Sequence, residues 1–141
     1  MNQYIKITAD AIVFHKNEDE IKLLLIKRKN PPDQGCFAFP GGFVDNQELV
    51  IHACQRELEE ETGLSIDLEA FQFINYYDQP NRDPRSRTIT FAFAAVISKE
   101  KSVEGNDDAA EAEWVSLKKI SNLAFDHNLI LEEAKQKIFN L

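Results

Sequence analysis

From Gly42 to Leu64 the chain carries an acidic helix with two readable ends, and any fold of this sequence must place its two unlike faces. Ile51, Cys54 and Leu58 recur at helical spacing and form an apolar stripe that packs on a sheet. Glu57, Glu60 and Glu61 stand at i, i+3 and i+4, so their carboxylates lie side by side on the adjacent face. The spacing predicts a helix over residues 46–62. Asp45 is the expected N-cap, with Glu48 three residues on as an acidic capping box, and Gly63 is the expected left-handed terminator, followed by the apolar Leu64.

Like charges at this spacing repel one another, and drawing them into a cleft costs more unless cations neutralise them. Hard carboxylate oxygens suit Mg²⁺ or Mn²⁺, ions that keep water ligands and also bind phosphate oxygens. Glu-rich helices also occur as solvated surface, and within either reading Arg56 is placed to buttress Glu60 at i+4.

Around this helix the chain reads mainly as strands. Residues 5–14 and 21–28 are rich in β-branched and apolar side chains, with a polar hairpin loop between them. Residues 36–39 form a short apolar piece stopped by Pro40-Gly41-Gly42. Residues 66–77 and 88–98 read as long strands separated by a polar segment, and 112–117 as a short strand around Trp114. A final helix is expected over 126–139, where Leu129, Ala134 and Ile138 lie near helical spacing. Strands outnumber helices and the helices lie far apart, which predicts an α/β fold, an α/β/α sandwich with a mixed sheet. At 141 residues, with 43% apolar residues and ten Phe, one domain over 1–141 is expected.

The net charge of -8 argues against an electrostatic grip on nucleic acid, which needs a basic face to displace counterions. An acidic protein still binds a polyanion when divalent cations sit between its carboxylates and the phosphates. The longest apolar run, residues 91–97, is too short to span a bilayer, and the first residues lack a signal-peptide core, so no membrane partner and a cytoplasmic location are expected. Cys36 and Cys54 match no close-spaced zinc pattern and are read as reduced, structural thiols.

The full segment reads Gly42, five residues, Glu48, seven residues, Arg56-Glu57-Leu58, one residue, Glu60-Glu61, one residue, Gly63-Leu64. It resembles the Nudix box at every fixed position, and Phe39-Pro40-Gly41 fits the family's approach to it. The resemblance implies an α/β/α sandwich that hydrolyses a nucleoside diphosphate linked to another moiety. It also implies Glu57, Glu60 and Glu61 as ligands of Mg²⁺ or Mn²⁺, a carbonyl contribution from Gly42, and Glu48 and Arg56 as residues that order the loop and helix. Relatives often form dimers, so a homodimer is an open expectation.

Three further stretches resemble the ADP-ribose pyrophosphatase branch: Arg82-Asp83-Pro84-Arg85 leading into Arg87-Thr88-Ile89-Thr90, Asp107-Asp108-Ala109, and Leu123-Ala124-Phe125-Asp126-His127. That implies ADP-ribose as the small-molecule partner, cleaved to AMP and ribose 5-phosphate. Related members include regulators with a DNA-binding domain, which 141 residues are not expected to hold beside this one. Arg82, Arg85 and Arg87 form a guanidinium cluster suited to phosphate or terminal ribose, with Arg85 the first choice, although surface ion pairs would use the same residues. One of Asp107, Asp108 and Glu111 is expected to bind metal or take a proton, with Asp108 the candidate, although a solvated acidic turn would use the same residues. Asp126 and His127 are expected on the substrate side or, alternatively, as a helix cap and its neighbour. Tyr76, Tyr77 and Phe14 are read as core rather than base-stacking, and His15 and His52 as structural. Three functions compete: an ADP-ribose pyrophosphatase, a Nudix hydrolase of another nucleotide derivative or triphosphate, and a non-catalytic ADP-ribose sensor.

Overall fold

The computed structural model describes residues 2–105 and 109–141. Seven strands, β1 (Lys6–Lys16), β2 (Ile21–Arg28), β3 (Phe37–Ala38), β4 (Gly41–Phe43), β5 (Gln72–Tyr77), β6 (Thr88–Ile97) and β7 (Ala109–Ser116), join two helices, α1 (Val50–Thr62) and α2 (His127–Phe139). The sheet runs β3-β2-β1-β6-β5, with β4 also paired to β1 and β7 to β2. β1 and β6 are parallel and the remaining pairs antiparallel, so the sheet is mixed.

Side-chain alternation along the central strands sorts two cores. Ala9, Ala11 and Val13 of β1, with Leu24 of β2, meet Ala53, Cys54 and Leu58 of α1. Ile12 and Phe14, with Leu23 and Leu25, meet Ile130, Leu131 and Ala134 of α2. The expected three-layer α/β/α architecture is therefore present. Within the expected stripe, Cys54 and Leu58 are fully buried and Ile51 partly so. Both cysteines are free thiols, and burial raises the pKa of Cys54.

Several local expectations are corrected. Asp45 is not the helix N-cap: α1 begins at Val50 after Leu49, with no side-chain cap, because Gln47 takes a left-handed φ of 69° that a helix cannot accommodate. The reciprocal pattern survives one turn earlier, where Glu48 Oε1 accepts the Asp45 N–H at 3.0 Å and the Glu48 N–H reaches the Asp45 carbonyl at 3.1 Å. Gly41 and Gly42 do not simply stop a strand but form β4, paired to Asp10 and Ala9 of β1. The expected strand over 66–77 is shortened to β5 by a 3-10 turn at Leu68–Ala70, with Ile66 and Phe71 buried as anchors against the α1 core. β7 starts earlier than expected because its whole length pairs with β2. Phe14 and Tyr77 are buried, whereas Tyr76 is 53% exposed on β5 and is not core. Gly63 ends α1 as expected, at φ 79° with its N–H on the Glu59 carbonyl at 2.8 Å, and Leu64 is buried beyond it.

Because Leu58 is fully buried where α1 meets the sheet, Leu58→Ala is expected to lower unfolding free energy by about 2–5 kcal/mol. Urea denaturation checks this, and a loss below about 1 kcal/mol, in the range of a surface substitution, would contradict that packing.

Candidate active site

β4 brings the chain against the carboxylate face of α1. An ideal Cβ at Gly42 would lie 2.5–2.7 Å from the carboxylate atoms of Glu57, so that carboxylate occupies the space a side chain would need. A Cβ at Gly41 would lie 2.4 Å from the Ala9 carbonyl and from Asp10 Oδ1. The glycines thus let the strand pass between two carboxylate-bearing elements. The Gly41 N–H donates to Glu61 Oε1 at 2.7 Å, and Glu61 is only 4% exposed.

Arg56 ties the acidic groups together. Its Nε donates to Glu48 Oε2 at 2.7 Å and Nη2 to Glu48 Oε1 at 2.9 Å, a fork-to-fork pair. Nη1 donates to Glu57 Oε1 at 2.9 Å and to Glu60 Oε2 at 3.2 Å, while Nη2 also reaches the Phe43 carbonyl at 3.0 Å. The pKa of Arg56 is raised, chiefly by its hydrogen bonds to Glu48. The Glu48 carboxyl is held down to about 2 by the Arg56 guanidinium. The expected i+4 contact with Glu60 is formed.

A cleft of about 280 Å³ opens beside these groups. Glu57 and Glu61 of α1 and Gly42 of β4 line it, together with Arg82 and Arg85 of the 78–87 segment and His127 of α2. Glu60 is not among the lining residues and stands half-exposed against Arg56. Arg82 is buried and makes a bidentate pair with Asp126, Nη2 to Oδ1 at 2.6 Å and Nε to Oδ2 at 2.8 Å. Burial opposes its charge, but the Asp126 hydrogen bonds outweigh that and raise its pKa. Asp126 stands at the N-cap position of α2, as one alternative expected, but makes no side-chain cap because its carboxylate is turned to Arg82. Arg85 pairs with Asp83 and remains 44% exposed at the cleft wall. Arg87 does not line the cleft; its carbonyl accepts the Lys6 N–H at 3.0 Å and its Nε is buried without a hydrogen-bond partner among the described residues. Asp107 and Asp108 lie outside the described residues, and Glu111 pairs in register with Lys27 on β7.

His127 is buried. The Phe39 N–H donates to its Nδ1 at 3.2 Å, the Phe39 ring stacks on it at 4.5 Å, and burial lowers its pKa. Among the cleft residues that the sequence reading does not assign to the site are Asp10, Arg28 and Phe125, the last of them quoted there only within a motif. Asp10 has a legible signal, a lone acid inside an apolar run from Ala9 to Phe14. Phe125, at φ 51°, holds its ring between Arg28 and Arg85, whose guanidinium carbons lie 4.8 and 5.7 Å from its centre. No sequence signal sets that arrangement, which depends on the Phe125 N–H reaching Asp33 Oδ2 at 2.9 Å, far off in the chain.

Among the described residues no three His, Cys, Asp or Glu side chains stand together as a closed metal-ligand set. Mg²⁺ does not need one, because it is commonly held by one or two carboxylates together with substrate phosphates and water. The all-oxygen donors Glu57 and Glu61, with the Cβ-free backbone at Gly42 between β4 and α1, fit such an ion.

The NUDIX domain family model matches residues 5–136. The chain belongs to the Nudix family. It is 43% identical over 128 residues to the ADP-ribose pyrophosphatase of Methanocaldococcus jannaschii, covering 90% of this chain and 71% of that protein. It is 33% identical over 138 residues to the ADPR responsive transcriptional repressor NtrR of Acinetobacter baylyi, covering 95% of this chain but only 54% of the repressor. The NUDIX domain of Shewanella oneidensis NrtR, in cocrystal with ADP ribose, superposes with a TM-score of 0.89 at 25% identity, over 97% of this chain and 90% of that one. The Nudix fold expected from the box is thus found over nearly the whole chain.

The depressed carboxyl of Glu48 gives a pH dependence with a definite sign. Its folded pKa, about 2, lies below the ordinary 4.5, so its contribution to stability is present above 4.5 and is lost as pH falls towards 2. Urea midpoints measured from pH 6 to 2 are expected to show Glu48→Gln less stable than the parent at pH 6, with the gap closing as the pH approaches 2. A gap that stays constant would refute the Glu48–Arg56 pairing as its source.

Proposed function

We propose that this Nudix protein is a hydrolase that, with Mg²⁺ or Mn²⁺, splits the diphosphate of ADP-ribose into AMP and ribose 5-phosphate. The observation that carries this reading is that one cleft is lined both by Glu57 and Glu61 of α1 and by Arg82 and Arg85 of the 78–87 segment. Similarity to an ADP-ribose pyrophosphatase supports the substrate.

Glu57 and Glu61 would hold the ion, with a contribution from the Gly42 carbonyl, while Glu60 shares the Arg56 guanidinium with Glu57. The ion, when bound, neutralises the diphosphate and activates the attacking water. Arg56 and Glu48 fix the loop and helix so that the carboxylates do not spring apart. Arg85 donates to a phosphate or ribose oxygen, and Arg82 is kept oriented by Asp126 and backed by the buried His127. Water oxygen bonds to one phosphorus as the bridging P–O bond breaks, and the water proton passes to a carboxylate. Asp108 is the candidate acceptor, which the described residues do not include. A cytoplasmic location and a homodimer belong to the same proposal; sedimentation velocity tests the latter.

A second reading is favoured by the similarity to an ADPR-responsive repressor and to a domain cocrystallised with ADP ribose: a sensor that binds ADP-ribose without cutting it. Incubation with Mg²⁺ and ADP-ribose, NADH, GDP-mannose, diadenosine polyphosphates or dNTPs, with products resolved by chromatography, separates the readings. ADP-ribose is expected to be cleaved best; a preferred dNTP overturns the substrate, and tight ADP-ribose binding without turnover favours the sensor.

Glu61 is buried rather than solvated, so its substitution must preserve the bond to Gly41. Glutamine retains a carbonyl acceptor for that N–H while losing the charge. Glu61→Gln is therefore expected to melt close to the parent and to lose at least about a hundredfold in kcat, an effect on the order of 3 kcal/mol on the barrier. Near-normal turnover would remove Glu61 from the ion site.

A further inference from the structure

Asp10 is a carboxylate buried on the central strand β1, 7% exposed, at the wall of the cleft. Burying a charge is costly unless its surroundings stabilise it, so this position demands an explanation. Oδ2 accepts the hydroxyl of the fully buried Thr90 on β6 at 2.7 Å. His127 Nε2 faces the same oxygen at 3.8 Å, too far for a hydrogen bond. Since Nδ1 of His127 accepts the Phe39 N–H, the ring proton sits on Nε2, and burial keeps the imidazole neutral. His127 therefore presents a dipole to Asp10 but does not cancel its charge.

Of the nearby guanidiniums, Arg82 forks onto Asp126 and Arg85 onto Asp83; Arg82 acts on Asp10 through its charge but makes no hydrogen bond to it. A carboxylate has capacity for about four acceptor contacts, and among the described residues Asp10 shows one, from Thr90. Its other oxygen, Oδ1, lies against Gly41, the residue whose N–H holds Glu61. An oriented anionic acceptor with unused lone pairs, a short step from the ion-binding glutamates, attracts a hydroxyl donor and repels a phosphate. A site built to hydrogen-bond a substrate hydroxyl discriminates strongly against a competitor that lacks it.

We propose that Asp10, positioned by Thr90 and His127, accepts a hydroxyl of the sugar on the far side of the diphosphate, and so selects sugar-linked diphosphates over nucleoside triphosphates. The inference rests on the proposed action on ADP-ribose and adds the residue that sets the preference.

The test compares kcat/KM for ADP-ribose and ATP with Mg²⁺, and equilibrium binding of both with Ca²⁺ in its place, in the parent, Asp10→Asn and Thr90→Val. Asp10→Asn is expected to lower the ADP-ribose to ATP ratio by about tenfold to a hundredfold, the scale of one hydrogen bond to a charged group. Thr90→Val, isosteric but without the orienting hydroxyl, is expected to move the ratio the same way by less, and mainly through KM. An unchanged ratio overturns the proposal. So does an equal loss on both substrates, which would put Asp10 on the shared diphosphate or on a cation. If the parent protein cleaves no ADP-ribose, the functional reading fails separately. The inference is then decided by GDP-mannose against GTP, or by the binding ratio alone where neither is cleaved, and an unmoved ratio in Asp10→Asn again sinks it. Thermal melts confirm that each variant is folded.

Discussion

The Arg56 guanidinium is the interaction on which the site depends. It reaches Glu48 in the loop, Glu57 and Glu60 on its own helix, and the Phe43 carbonyl at the end of β4. Without a cation at that point, the carboxylates of α1 would repel one another, and nothing would draw the 44–49 loop back onto the helix. Lysine would not substitute, because one ammonium cannot present a planar fork to Glu48 and a third nitrogen to Glu57 together. The raised pKa of Arg56 and the lowered pKa of Glu48 express the same coupling from its two ends.

That clamp works only because the sheet delivers β4 to it. Alternation on β1 sends Ala9, Ala11 and Val13 to the α1 layer and Ile12 and Phe14 to the α2 layer. Asp10 shares the parity of Ile12 and Phe14, so it projects towards α2, where His127 begins that helix. The cleft therefore draws from both layers, with glutamates from the α1 side and Asp10, His127 and Asp126-held Arg82 from the α2 side. Two consecutive glycines in β4 are what allow the layers to meet so closely, since a Cβ on either would overlap a carboxylate.

How much of this could be read from sequence follows how local each determinant is. The apolar stripe and the glycine stop of α1 depend on residues within a few turns of one another, and they appear as read; of the three-glutamate face, Glu57 and Glu61 line the cleft while Glu60 stands outside it against Arg56. The α1 start does not, because Glu48 is drawn eight residues ahead to Arg56 and Gln47 turns left-handed to let it. The three arginines of the 78–87 segment look equivalent in sequence; Asp126, 44 residues away, and Asp83 separate Arg82 and Arg85 from Arg87. Asp10 was visible as an acid in an apolar run, but its meaning came from Thr90 and His127, 80 and 117 residues further on in sequence number.

The charge arrangement also bears on how a polyanion enters an acidic protein. With a net charge of -8 the long-range field does not steer a diphosphate inward, and Arg82 and Arg85 at the cleft are matched by Asp126 and Asp83. Their N–H groups serve as short-range donors of fixed direction, useful once the ligand has arrived. Under the proposed function, attraction strong enough to hold a diphosphate beside Glu57 and Glu61 would come from the divalent ion those oxygens suit, and ion and substrate would favour each other's binding reciprocally. The acidic box would then be a conditional site for phosphate, attractive with the ion and repulsive without it, while the hydroxyl-rich end of a ligand would meet acceptors in either state.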